Sequence, residues 1–278
     1  MTHVEEPLSA SSEPKEPHKR KVPEWALKAF KEFNEHQEYS WKVLQLSKSG
    51  LSMATHQPEI IAAIRHGEEV SGRAASLNSE DFVKELAQSM AQAEFAQAEI
   101  DAGFPLLHSQ AVIALWGSLE TVVLSVLADW IVNRPAILRQ APWSTIKIAV
   151  GEYEVLDADQ KASFLVSLMD QKLNTPMSSG ISRFEKLLET VGLAGKFEDE
   201  KGRNLFEMQQ VRNVLTHRRS IVDARFCKAC PWLSMKPGNK LSVTSSMYTM
   251  YSTAAVAYPT ELIYRTTEFF GGSRPAAT

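Results

Sequence analysis

Cysteine is nearly absent from this chain: its 278 residues contain two, Cys227 and Cys230. A pair three positions apart cannot staple distant parts of the chain or by itself complete a four-ligand metal site, so a disulfide framework is excluded and a reducing compartment is expected. Glycine and proline are sparse at 13 each, which excludes a collagen-like chain, and 44% apolar with 23% charged residues excludes a wholly disordered one. Neither sign of charge dominates: the formal net charge is −3, so a nucleic-acid partner would have to be held by a local basic patch. An uninterrupted apolar run is missing too. Met1 to Val22 lacks the apolar core of a signal peptide. Phe104 to Ile131 approaches transmembrane length, but His108, Gln110, Glu120 and Asp129 punctuate it, and a charge at bilayer depth is costly. The expectation is a cytoplasmic protein with no membrane partner, in which this segment is a buried helix.

What is present reads as helix almost throughout. A polar tail, residues 1–22, cannot bury enough surface to offset its ordering entropy. Pro23 opens an aromatic-rich helix through Trp25, Phe30, Phe33, Trp41 and Leu44 to about Leu46, and Gln57-Pro58-Glu59 starts a short one that Ser71-Gly72 ends. Residues 23–77 therefore form an N-terminal helical extension to a bundle over 78–270, with 271–278 a second tail. Within the bundle, Asn78 and early carboxylates start a helix to Asp101. Pro105 opens the central core helix, with Leu106, Val112, Leu115, Leu119, Val123, Val126 and Trp130 on its apolar face. Asp157 and Gln160 fit a capping box for a helix to Leu173, with Asn174-Thr175-Pro176 as its stop. Ser182 is expected to cap the next helix, and Gly192 to end it in the left-handed conformation. Lys236-Pro237-Gly238-Asn239-Lys240 has the turn residues of a short hairpin between Trp232-Leu233 and Leu241-Val243, and a last helix spans Ser246 to Phe270 with a kink at Pro259. Ile146 to Val150 fits a strand or a loop equally.

Chemistry concentrates on one helix. Leu205, Met208, Val211 and Leu215 form an apolar stripe, and at about 100° per residue Asn213 and His217 share a different face. Arg212 lies about 140° around the helix from His217, so the two cooperate best around a ligand or through a second copy. An always-charged guanidinium beside an imidazole suits cleavage of an RNA phosphodiester: arginine neutralises growing phosphate charge, and histidine moves the proton of the ribose 2′-OH. The surrounding charge agrees. Arg212, Arg218, Arg219, Arg225, Lys228, Lys236 and Lys240 face only Asp223 between positions 212 and 240. Against this stands a plainer reading, in which the arginine pairs with a surface carboxylate and the histidine suits the negative end of the helix dipole.

The string Arg212-Asn213-Val-Leu-Thr-His217, together with the helix Leu107 to Glu120 and the Cys230-Pro-Trp-Leu233 turn, resembles the HEPN superfamily, in particular its RiboL-PSP-type branch, over roughly Phe104 to Phe270. The resemblance implies an all-α, HEPN-type helical bundle that dimerises so that two Arg/His motifs form one composite site, cutting RNA with neither metal nor cofactor. It implies Arg212, Asn213 and His217 as catalytic residues and a role as a toxin or phage-defence effector, with an antitoxin or regulatory protein as a further partner, while the local charge puts Arg218, Arg219, Arg225 and Lys228 on the RNA. Some relatives carry tyrosine two residues after the histidine, where a partner enzyme modifies it; here Arg219 stands there, which removes that scheme. Glu120, a carboxylate within an apolar helix, either orients Arg212 or His217 or pairs structurally. Cys227-Lys-Ala-Cys230 could be half of a zinc site completed across a dimer or a redox pair, and Tyr248, Tyr251, Tyr258 and Tyr264 are explained by core packing, with one or two free to stack on bases. Two other functions fit: a non-catalytic helical module that binds RNA or protein, and a zinc-stabilised interaction domain.

Overall fold

A computed structural model of the chain describes residues 21–72, 79–173 and 180–274. The expected tails up to residue 20 and from 275, the Asn78 cap, the boundary at 77/78 and the Asn174–Pro176 stop lie outside the described residues. The rest is all-α. Ten α-helices follow in order among the described residues: α1 Trp25–Thr55, α2 Gln57–Val70, α3 Ser79–Asp101, α4 Pro105–Asn133, α5 Val150–Glu154, α6 Ala158–Leu173, α7 Ser182–Glu189, α8 Asp199–His217, α9 Ala224–Ala229 and α10 Ser245–Phe269. Among the described residues three short 3₁₀ segments, Pro135–Arg139, Trp143–Thr145 and Pro231–Leu233, lie in the connections.

Helix α4 occupies the centre because one broad side of it is apolar and buried: Val112, Trp116, Leu119, Val123, Leu127 and Trp130 form a single stripe, which Leu115, Val122 and Ile131 widen to about half the helix. By length and composition it could cross a membrane. Here α1, α6, α8 and α10 pack around it. Leu106, expected on the core face, is exposed instead, because at about 100° per residue it lies about 120° round the helix from Val112 and off the buried stripe. The first turn of α4 follows two left-handed residues, Gly103 and Phe104, and Glu99 accepts the Leu106 N–H at 3.2 Å. A glycine takes the φ of 78° at position 103 without strain.

One hydrophobic cluster joins α1 to α10. Ala26, Ala29, Phe30 and Phe33 of α1 bury against α4, whereas beyond them Leu44 is buried and Trp41 exposed. The helix runs nine residues past the expected end at Leu46. Helix α2 has no buried residue. On the other side α10 contributes Tyr251, Ala254, Ala255, Tyr258 and Leu262, continuing through Pro259. Arg265, nearly buried, donates to both carboxylate oxygens of Glu185 at 2.9 Å, to Glu261 at 3.1 Å and to the Lys196 carbonyl at 2.9 Å, so α7 and α10 are tied by a satisfied ionic knot. Tyr258 adds a hydroxyl on Glu185 at 2.8 Å.

Two local expectations need correction, and the open choice over Ile146 to Val150 falls to the loop. Ser182 does not cap α7: it is the first helical residue, Ile181 precedes it, and no side-chain cap bond forms. Residues 146–149 are an irregular connection with no strand. The turn at Lys236–Lys240 does not join Trp232-Leu233 to Leu241-Val243. Trp232 and Leu233 lie in the last 3₁₀ turn, and the backbone after the turn pairs with Ser220–Val222 instead: Ile221 faces Lys240 in an isolated antiparallel bridge.

Candidate functional site

Helix α8 is held by its inner side. Leu205, Met208, Val211 and Val214 are buried, while Leu215, expected in that row, is only half covered. Asn213 and His217 point elsewhere. Both line an open cleft of about 870 Å³ between α8 and α9, whose rim also carries Arg218, Arg225 and Lys228. His217 is exposed at the last position of α8, where it is the basic residue of the final turn and suits the negative helix end. Just after it the chain turns sharply through Arg219 and Ser220, with φ of 52° and 65°, and this pair of left-handed residues ends the helix.

The floor of the cleft is set by α9. Asp223 is its N-cap, accepting the Phe226 N–H at 2.9 Å, and Phe226 is buried beneath. The same carboxylate meets Arg218 Nη2 at 3.4 Å. The single acidic residue of the basic stretch therefore serves a helix cap and partly neutralises one of the cations.

The other named residues are distributed differently. Arg212 does not line the cleft; its Nη1 donates to Asn213 Oδ1 at 3.3 Å, and its Nε is buried without an acceptor among the described residues. The guanidinium thus reaches the amide at the edge of the cleft, but not His217. Arg219 is exposed outside the lining. Glu120 is the clearest departure. It accepts from Arg183 Nη1 at 3.1 Å, and Arg183 is also held by Asp170, so the carboxylate belongs to a three-residue ion cluster joining α4, α6 and α7 and touches neither Arg212 nor His217.

Sequence reasoning passed over Glu207. This carboxylate is buried in α8, accepting the Tyr251 hydroxyl at 2.6 Å and the Trp232 indole N–H, while Arg203 stacks on the outer face of Trp232 at 4.1 Å. The signal was available: Glu207 lies four residues before Val211, and so on the apolar stripe. Burial, reinforced by the Glu207 charge, pushes the Cys230 thiol up to about 12, which keeps it protonated and unreactive. No group of three or more His, Cys, Asp or Glu side chains arranged to hold a metal occurs among the described residues.

The sequence matches no family model, and no curated protein or solved structure is significantly similar to it. The fold and the cleft therefore have to be read from their own chemistry.

Proposed function

We propose that this protein is a metal-independent endoribonuclease working in the cytoplasm as a homodimer. The observation that carries the reading is the position of His217: an exposed imidazole at the edge of an open cleft with Asn213, Arg218, Arg225 and Lys228 around it. A ribose-phosphate chain lying there meets three cations of the rim and an imidazole able to accept a proton. His217 takes the proton of a 2′-OH, the freed oxygen attacks the adjacent phosphorus, and the 5′-oxygen leaves with a proton returned by an imidazolium. The products are a cyclic phosphate end and a free 5′-hydroxyl. Arg212 neutralises charge on the phosphate once a second chain brings it into the cleft. The resemblance to HEPN nucleases supports the same roles, and with them a toxin or phage-defence role and control by an antitoxin or regulatory protein.

One observation favours a second reading. In the single chain Arg212 stays out of the cleft, as it would in a non-catalytic helical module that binds RNA through its basic rim. Incubating the purified protein with RNA in excess EDTA separates the two: the nuclease cuts and leaves cyclic phosphate ends, His217→Ala lacks this activity, and binding without cleavage supports the module.

A further inference from the structure

Beyond its buried first third, α1 carries a row of large apolar side chains that nothing among the described residues covers. Tyr39, Val43, Leu46 and Met53 are 67, 43, 72 and 68% exposed. Their spacings of four, three and seven keep them within one narrow stripe of the helix surface. Gly50 falls in the same row, with open space where a Cβ would stand. Beside the stripe lies a groove of about 290 Å³ between α1 and the start of α4, with Tyr39 and Val43 on one wall and Leu107 and Ala111 on the other. Other large apolar side chains are exposed on α2 and α3, but here an apolar ridge adjoins an apolar groove, and that combination marks an interaction site.

Charge limits what can sit there. From Tyr39 to Thr55 the helix has only two charged residues, Lys42 and Lys48. Lys42 is paired with Glu38 at 2.6 Å, and Lys48 lies over the Phe104 ring at 5.2 Å. Lys42 is balanced by Glu38, and Lys48, about 180° round the helix from Tyr39, keeps its charge on the far side, so the stripe itself sets no charge against a copy of itself. Self-pairing across a two-fold axis sets a patch against its own copy, so it tolerates only such a neutral surface. The size also fits. The four side chains expose on the order of 500 Å², and with the groove they approach the roughly 800 Å² per partner of a standard stable interface. Interface centres are likewise depleted of charge and rich in Tyr, Met and other large apolar groups.

We propose that a second copy of this chain docks here, α1 against α1 across a two-fold axis, with the ridge of each copy seated beside the groove of the other. Leu46 is midway between Tyr39 and Met53, so it lies at the axis. This assignment rests on α1 alone, not on the ribonuclease reading, and its readout contains no RNA.

Sedimentation equilibrium on the full chain at tens of micromolar is the test. The wild type should be a dimer and Leu46→Glu/Met53→Glu a monomer. Val83→Glu, at an exposed position on α3 away from the stripe, should remain a dimer. As a second measurement, Leu46→Cys in a Cys227→Ser background should give a covalent dimer with a short bis-maleimide. A double variant that stays dimeric, or a Leu46→Cys chain that does not cross-link, overturns the proposal. So does a monomeric wild type, and if that monomer floats with neutral vesicles the stripe belongs to lipid instead.

Discussion

Asp223 shows how much one side chain can decide in the cleft. It caps α9 and sits against Arg218, so it both builds the floor and lowers the positive field above it. The two duties are separable, since asparagine caps a helix as well as aspartate does but carries no charge. Asp223→Asn should keep α9 and the melting temperature while freeing Arg218. RNA binding should then tighten a few-fold at low salt, and the slope of log affinity against log salt should steepen by about 0.7, one added phosphate contact on a single strand. Titration at several salt concentrations measures it; an unchanged slope would mean RNA does not follow this rim. Residue identity was legible here only in part. The helical period put His217 off the apolar stripe, and it is exposed. Glu120 was not legible, because its partner Arg183 is 63 residues away and the alternatives at its own helix face were balanced. Glu207 was missed because charge argues for the surface, whereas Tyr251 and Trp232 arrive from distant segments to satisfy it.

Among the elements, those whose ends are written locally were readable. Asp157 and Gln160 exchange the two bonds of a capping box, at 2.8 and 3.1 Å, and Gly192 takes a φ of 78° at the end of α7. The turn at Lys236–Lys240 was recognisable, but its partner was not, since strand pairing is decided by what α8 and α9 leave beside it. The joint between the start of α4 and the start of α10 carries a pH response. His108 is buried against Tyr248, with rings stacked at 5.4 Å and neither ring nitrogen in hydrogen-bonding geometry. Burial and then the Lys48 charge hold its pKa below the usual 6.5, outweighing the weaker opposite pull of the Val243 and Gly103 backbone. The sign follows from proton uptake. Below about pH 6.5 the unfolded chain binds a proton that the folded chain refuses, so stability falls as pH drops from that value toward the lowered pKa, and is full above it. His108→Phe keeps the stacking and removes the titration. Urea unfolding at pH 7.5 and 5.5 should show a smaller acid loss in the variant than in the wild type; equal losses would mean His108 is protonated without cost.

At the scale of the whole molecule, the all-α class followed from periodicity alone, while the role of α1 did not. Its first third enters the common core and the rest leaves it, a division set by where α4 begins and written nowhere in α1 itself. The composite site belongs to this scale too. Arg212 and His217 diverge by about 140° on one helix, and Arg212 stays outside the cleft in a single chain. Mixing Arg212→Ala with His217→Ala subunits should therefore restore part of the activity that each variant lacks, because some mixed dimers carry an intact Arg/His pair across the axis. Mixtures as inactive as their components would place the whole reaction within one subunit.

The backbone from Ser220 to Leu241 leaves α8 and returns to the same spot. Leu241 N–H reaches the Ser220 carbonyl at 2.7 Å, Val222 bonds Asn239 at 3.0 Å, and Gly238 bonds Val222 at 2.9 Å. A segment closed at its neck is a single unit, anchored to the core through Phe226 and Cys230 and to α8 through the Trp232–Glu207 bond. The second wall of the cleft, with Arg225 and Lys228, is wholly inside that unit, whereas His217 is outside it. In hydrogen exchange the neck amides of Val222, Gly238 and Leu241 would report a shared opening, separate from global unfolding. On the ribonuclease reading, exchanging the 220–241 loop would alter RNA preference while His217 stays in place.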